Sequence, residues 1–224
     1  MTVRTMRLFE DRIEAGAKPI YLPYGDRAIF VREGAAHFVT PSTHQYLSAD
    51  LAYAGDDQLT LEVESLAAVL WRFELADGTD LADEAFALRS APQATSELKL
   101  AVDFDLDDRY DWLLRCDTVT FPAGGVAWTH LHQGPGLRIT RYGEITIETD
   151  GTTRTHGPGD PWAEFGVLPV LAPTTPHEAT SFTRCFALPA QLKGVSSLRT
   201  VHAEDRAKPN TQSYRVLAEY AMDA

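Results

Sequence analysis

The chain is poor in several things that would have fixed its class at once. It has only two cysteines in 224 residues, Cys116 and Cys185. They form no CxxC and no Cys/His cluster, so neither a disulfide framework nor a thiolate zinc site is expected. Two buried thiols in a reducing cytosol are the plain reading. Basic charge is also scarce: 20 Lys and Arg stand against 32 Asp and Glu, a formal net charge of −12. Such a chain repels phosphate backbones and anionic membrane surfaces, which excludes nucleic acid and membrane as main partners. No apolar run approaches the roughly 18 residues that span a bilayer. The opening "MTVRTMRLFEDRIEAGAK" has no uninterrupted apolar stretch and carries acids early, so no secretory signal and a cytoplasmic location are expected.

What is present is a globular composition, 44% hydrophobic, with enough chain for one large all-β domain or two small units. The first segment, "TMRLFEDRIEAG", spaces Met6, Phe9 and Ile13 in a roughly helical pattern and stops at Gly16, predicting a short N-terminal helix. Beyond it, runs rich in Val, Ile, Thr, Phe and Tyr alternate with Gly, Pro, Asp and Asn. "RAIFVREG", "QLTLEVES", "CDTVTFPAGG" and "TSFTRCFALP" are examples. Many short strands at this spacing predict an antiparallel sandwich or barrel. Residues 76–97, acidic, alanine-rich and containing Pro92, read as a linker with a helical turn or two around "LADEAFALR".

The two halves resemble each other. Laid without gaps, "YLPYGDRAIFVREGAAHF" over "HLHQGPGLRITRYGEITI" places Gly25 on Gly134, Arg32 on Arg141 and Gly34 on Gly143. Further on, Gly55-Asp56 falls on Gly159-Asp160 and Arg72 on Arg184. His130 then lies over Tyr21 and His132 over Pro23, so only the second half keeps a metal-capable pair.

That pair sits in "AGGVAWTHLHQGPGLRITRYGEI", residues 123–145. Gly124 is followed by five residues, His130-Leu131-His132, three residues, Gly136, six residues and Gly143. The spacing resembles the first motif of the cupin superfamily, with glycine at Gly136 where that family has a glutamate ligand. The family's second motif is eroded. Counting from Gly159, its proline, glycine, histidine and asparagine positions hold Phe165, Val167, Val170 and Thr174, and only the Pro158-Gly159-Asp160 opening survives. The resemblance implies a bicupin, with double-stranded β-helix (jelly-roll) barrels in tandem. Residues 1–97 would form a first barrel without the metal motif, plus linker. Residues 98–224 would form a second with the His-x-His site and a tail. The family includes oxygenases, lyases, isomerases, sugar-binding and storage proteins, so fold alone selects no activity.

On a strand, residues i and i+2 share a face. His130, His132 and Trp128 therefore point together, and the two imidazoles can meet at one ion. Gly136 and Val170 supply no ligand. Glu164 is the first replacement, giving two histidines and one carboxylate, a set that suits divalent Fe, Mn, Ni or Zn. His177, after Pro176 in a turn-like stretch, is the second. His156 and His202 lie in polar segments and read as exposed. By parity from Gly136, Arg138 points inward and needs an anionic partner. That partner is either Glu164, in a buried ion pair replacing a metal, or a substrate carboxylate or phosphate. Trp128, Trp162 and Phe165 would supply apolar walls.

Two functions remain open at this point. One is a metal-dependent enzyme of oxygenase, lyase or isomerase type acting on a small anionic substrate. The other is a metal-free binding or structural module holding an organic anion through Arg138 and the histidines. A metal-free sugar-nucleotide isomerase ranks behind both, because no inward His-Tyr pair is evident. The tail ends in a strand-like "SYRVLAEY" that either wraps its own barrel or crosses to another subunit, and a homodimer is expected.

Overall fold

The computed structural model describes residues 2–77 and 93–222. The helical turns expected around residues 81–89 lie outside them. The regular structure of the described chain is almost all antiparallel strand, and the chain divides into two units. One runs to Arg109 and takes back the end of the chain from Tyr220, and the other is Tyr110–Glu219.

The first unit contains β1 (Thr2–Ile13), β2 (Ile20–Leu22), β3 (Arg27–Glu33), β4 (Ala35–Val39), β5 (His44–Ser48), β6 (Ala52–Gly55), β7 (Leu59–Glu62), β8 (Ala68–Asp77) and β9 (Ala94–Leu106). The second contains β10 (Trp112–Phe121), β11 (Val126–His132), β12 (Gly136–Tyr142), β13 (Ile145–Thr149), β14 (Thr152–His156), β15 (Pro161–Glu164), β16 (Val170–Pro173), β17 (Thr180–Pro189), β18 (Leu198–Thr200) and β19 (Ser213–Ala221). Short 3-10 turns occur at Ala190–Leu192 and Glu204–Ala207.

The strand orders of the units correspond. The first has sheets β6-β3-β8-β1-β9 and β2-β7-β4-β5; the second has β15-β12-β17-β10-β19 and β14-β13-β16-β11-β18. Adding nine to each of the first eight strand numbers converts one arrangement into the other. The match extends to irregularities. A register shift between Val31 and Glu33 on β3 has its counterpart between Thr140 and Tyr142 on β12. The glycines after them, Gly34 and Gly143, both adopt φ near +70°, at 74° and 72°. A side chain at either would strike the carbonyl oxygen of Ala67 or Ala179, so glycine is required by two constraints at once.

Two expectations are corrected here, and an open alternative is decided. The N-terminal helix is absent: Thr2–Ile13 is β1, hydrogen-bonded between β8 and β9. A central strand buried on both faces loses its alternation. Here Glu10 and Asp11 are buried as well, with Glu10 accepting from Trp71 Nε1 at 3.1 Å and Asp11 from Arg72 Nε at 2.6 Å. Buried acids between Met6, Phe9 and Ile13 imitate the polar face of a helix. The boundary at 97/98 cuts through β9, which pairs along the whole of β1 and so belongs with the first unit. The tail strand lies beside β10 of its own chain.

The two interiors differ. In the first unit Tyr21, aligned with His130, is 67% exposed, while its neighbours Ile20 and Leu22 turn inward. They join an apolar core with Ile29, Phe38, Leu61 and Leu70. In the second unit the equivalent region opens onto a cavity.

Candidate metal centre

Strand β11 carries the histidines into the second barrel. Opposite it, Ala127 pairs with Ala172 and His130 with Val170, so Trp128 and Thr129 on β11 face the single Leu171 on β16. The extra residue is a bulge. It lets Ala127, His130 and His132 all line the cavity and turns Trp128 away. Trp128 lies instead in a separate outer groove, under Lys208, whose Nζ is 4.0 Å from the ring centre. Parity counted without the bulge misplaces this tryptophan.

Across the barrel, Gly136 on β12 stands opposite Glu164 on β15. A Cβ at Gly136 would strike Cys185 O of β17, so the family's glutamate has no room there. The carboxylate comes instead from the facing strand. Gly136→Glu, which formally restores the motif, is therefore expected to destabilise the second unit by about 3 kcal/mol or more without adding a ligand. Chemical denaturation followed by circular dichroism, with metal content measured in parallel, checks this.

His130, His132 and Glu164 are all buried. One ligand atom from each lies within 4.8 Å of the other two, and this is the group of three such side chains found among the described residues. His130 Nδ1 is 2.8 Å from Trp128 O. A carbonyl only accepts, so Nδ1 carries the proton and Nε2 keeps its lone pair. His132 Nδ1 is 3.2 Å from Ser197 Oγ, and its Nε2 is 3.8 Å from Glu164 Oε2. Burial lowers both imidazoles from their ordinary value, and the Arg184 cation adds to this, most strongly at His132. Both are neutral at pH 7, the form that binds metal.

Glu164 Oε1 accepts from Trp162 Nε1 at 3.0 Å. Its Oε2 is 2.9 Å from Arg138 Nη2, but off hydrogen-bond geometry, and has no hydrogen-bond partner among the described residues. Burial pushes this carboxyl up, yet Arg138 and the Trp162 indole outweigh it and hold it below its usual value. Burial likewise lowers Arg138, against the pull of Glu164, to about 10, which leaves it protonated. Arg138 Nη1 donates to Gly136 O at 2.6 Å, and the guanidinium lies 4.6 Å from the centre of the Phe186 ring. Fully buried, it does not reach the cavity wall and is not placed to grip a substrate.

Arg184 does line the cavity, and sequence reasoning passed over it. It is held by Asp117, with Nε 2.6 Å from Oδ1 and Nη2 3.2 Å from Oδ2. The available signal was an arginine alternating with Phe182 and Phe186 on a strand otherwise apolar on that face. The pairing is repeated in the first unit, where Arg72 makes the same two-pronged contact with Asp11, at 2.6 and 3.1 Å. Ser197 was also missed.

The remaining expected residues separate clearly. Trp162 is a cavity wall, 6% exposed. Phe165 is exposed and is no wall. His177 and His202 are exposed and away from the cluster, whereas His156 stacks on Trp162 with ring centres 5.0 Å apart. Cys116 and Cys185 face each other across β10 and β17 as buried free thiols, their pKa values raised by burial.

No family model and no curated protein matches the sequence. Solved structures do. Oxalate decarboxylase of Bacillus subtilis superimposes with a TM-score of 0.63 at 10% identity, over 91% of this chain and 73% of that one.

The chain has the bicupin fold.

The 11S allergen of Cocos nucifera shares the fold at TM-score 0.61 and 8% identity, over 91% of this chain and 85% of that one. AerE of Microcystis aeruginosa matches at 0.57 and 10%, over 80% and 87%. At these identities the likeness concerns the fold. No described helix is long and apolar enough to cross a membrane.

Proposed function

We propose that this bicupin binds a divalent transition metal in its second unit, through His130, His132 and Glu164, and acts on a small molecule held in the adjoining cavity as an oxygenase-, lyase- or isomerase-type enzyme. The first unit, with its apolar interior, serves as a structural partner.

The observation that carries this reading is Glu164 Oε2. It is a buried, ionised oxygen without a hydrogen-bond partner among the described residues, and it faces an imidazole nitrogen at 3.8 Å. An ion about 2.0–2.2 Å from each donor draws donor atoms to roughly 3–3.6 Å apart. The three side chains would reach that spacing with small movements. Two neutral imidazoles and one carboxylate suit Fe(II), Mn(II), Ni(II) or Zn(II). The Bacillus subtilis oxalate decarboxylase has Mn(II) centres, which makes manganese the first ion to load here.

When bound, such an ion supplies a Lewis acid for an oxygen or nitrogen donor of the substrate. The chain's residues prepare the place. Arg138 keeps Glu164 ionised, the Trp162 indole orients its carboxylate, Trp128 O and Ser197 set the histidine rings, and the apolar walls keep water out.

A metal-free module is the second reading, favoured by the 2.9 Å contact of Arg138 with Glu164, in which a guanidinium takes the ion's part. Elemental analysis decides between them. Full-length protein loaded separately with Mn(II), Fe(II), Ni(II) and Zn(II), then dialysed, is expected to retain about one equivalent of at least one ion. Retention below about a tenth of an equivalent for all four, where a three-ligand site should hold its ion, establishes the metal-free reading instead.

A further inference from the structure

Strand register orders the second unit's cavity into two ends. Gly136 lines up with Glu164 and with Phe186. One step along, Arg138 lines up with Trp162 and Arg184, and Arg184 with Asp117. The next step brings Thr140, Phe182 and Val119 together, and Phe121 follows on β10. On β11 the sequence runs the same way, from His132 through His130 to Ala127, which faces Ala172. Every ionisable side chain on the cavity wall other than Tyr214 thus lies at one end. The other end is mainly apolar, with Phe121, Ile145, Ile147, Ala172 and Phe182 all on the wall and in one packed cluster; Asn210 and Gln212 border it, since Thr211 between them bonds Val126 at 2.8 Å.

The charges at the polar end are already spoken for. Glu164 faces Arg138, and Arg184 is clasped by Asp117. With neutral histidines these two pairs sum to zero. The other polar groups on the wall, Ser196, Asn210, Gln212 and Tyr214, are hydroxyls and amides. Among the described residues on the wall, the guanidinium present, Arg184, is already neutralised by Asp117, so the surplus charge the site acquires is that of its ion. A ligand whose whole surface is polar would pay desolvation against the packed face of Phe121, Ile147 and Phe182, where no polar side chain of that cluster compensates it.

Resting on the metal reading above, we infer that the site takes a compact amphiphile. Its anionic chelating head meets the ion at the His130–His132–Glu164 end, and a single ring or branched chain packs among Phe121, Ile147 and Phe182. The cavity, about 90 Å³, holds on the order of six or more water-sized positions, room for one such group and little more. A short dicarboxylate, polar at both ends, is the wrong shape of chemistry for it.

The test uses full-length protein loaded with whichever of the four ions it retains, its metal content measured on the same sample. Acetohydroxamate, benzohydroxamate and oxalate are titrated by calorimetry. The two hydroxamates share one chelating head, and parallel titrations against the free ion correct for its intrinsic preference. Benzohydroxamate is expected to bind at least about tenfold more tightly than acetohydroxamate, a fraction of what burying a ring is worth. Ala172→Leu, which fills the apolar end, is expected to reduce benzohydroxamate binding about tenfold while leaving acetohydroxamate and metal content unchanged. If that variant does not fold, the wild-type ratio still decides. At full metal content, a hydroxamate ratio near one, or oxalate binding more tightly than benzohydroxamate, overturns the amphiphile inference and leaves the metal reading standing. Metal content below about a tenth of an equivalent overturns the metal reading, and this inference with it.

Discussion

His132→Ala is expected to abolish metal retention. Loaded and dialysed wild-type protein should carry about one equivalent and the variant less than about a tenth, because one histidine and one carboxylate do not make a site. The affinity loss should exceed the roughly 10–100-fold that follows from disturbing residues that merely support ligands. His130→Ala should behave alike, since its free nitrogen belongs to the same cluster. The specificity of the result lies in its controls. His177→Ala and His202→Ala remove exposed imidazoles outside the cluster and should retain metal like wild type. Elemental analysis reads all four variants, and denaturation curves separate ligand loss from unfolding. His132 packs 5.0 Å from the Phe186 ring, centre to centre, so its alanine variant should also lose a stability increment typical of a small buried cavity, about 1–3 kcal/mol. That loss is too small to empty the site by itself.

The parts of this molecule legible in its sequence are those governed by local rules. Strand runs between turn residues were visible because β-branched and aromatic residues cluster there. Gly34 and Gly143 betrayed the repeat because a left-handed turn against a backbone carbonyl leaves no alternative to glycine. The histidine pair was legible because strand parity relates i to i+2. Parity then failed two residues earlier, at the β11 bulge, because one inserted residue inverts every inference on its far side. Trp128 was lost for that reason. The N-terminal strand was misread because burial on both faces removes the alternation on which strand recognition depends. The roles of Arg138 and Arg184 were hidden for a deeper reason. Both face inward, and sequence does not say which buried arginine reaches a cavity and which is sealed behind a carboxylate. That depends on register between strands distant in the chain, as between Gly136, Glu164 and Phe186.

Arg138→Met is expected to make stability depend on metal. Methionine keeps an unbranched apolar stem against Phe186 but removes the cation 2.9 Å from Glu164. In metal-free protein the carboxylate is then buried beside neutral imidazoles, and breaking a buried pair from one side costs about 3–5 kcal/mol. A divalent ion would replace the lost charge at the same oxygen. The metal-saturated variant should therefore regain most of that loss, and its stabilisation by metal should exceed that of wild type, where Arg138 already compensates Glu164. Urea denaturation with and without the retained ion measures both quantities. The metal-free module gives the opposite pattern: Arg138→Met is destabilised equally in either condition. Replacing both partners, Arg138→Met with Glu164→Leu, completes the comparison. Without metal the double variant should be closer to wild type than Arg138→Met alone, because no uncompensated charge remains. With metal it should gain nothing, because the third ligand has gone. The two readings of Glu164 thus make different predictions for the same three proteins, with the arginine taking the part of the ion in one and preparing the carboxylate for it in the other.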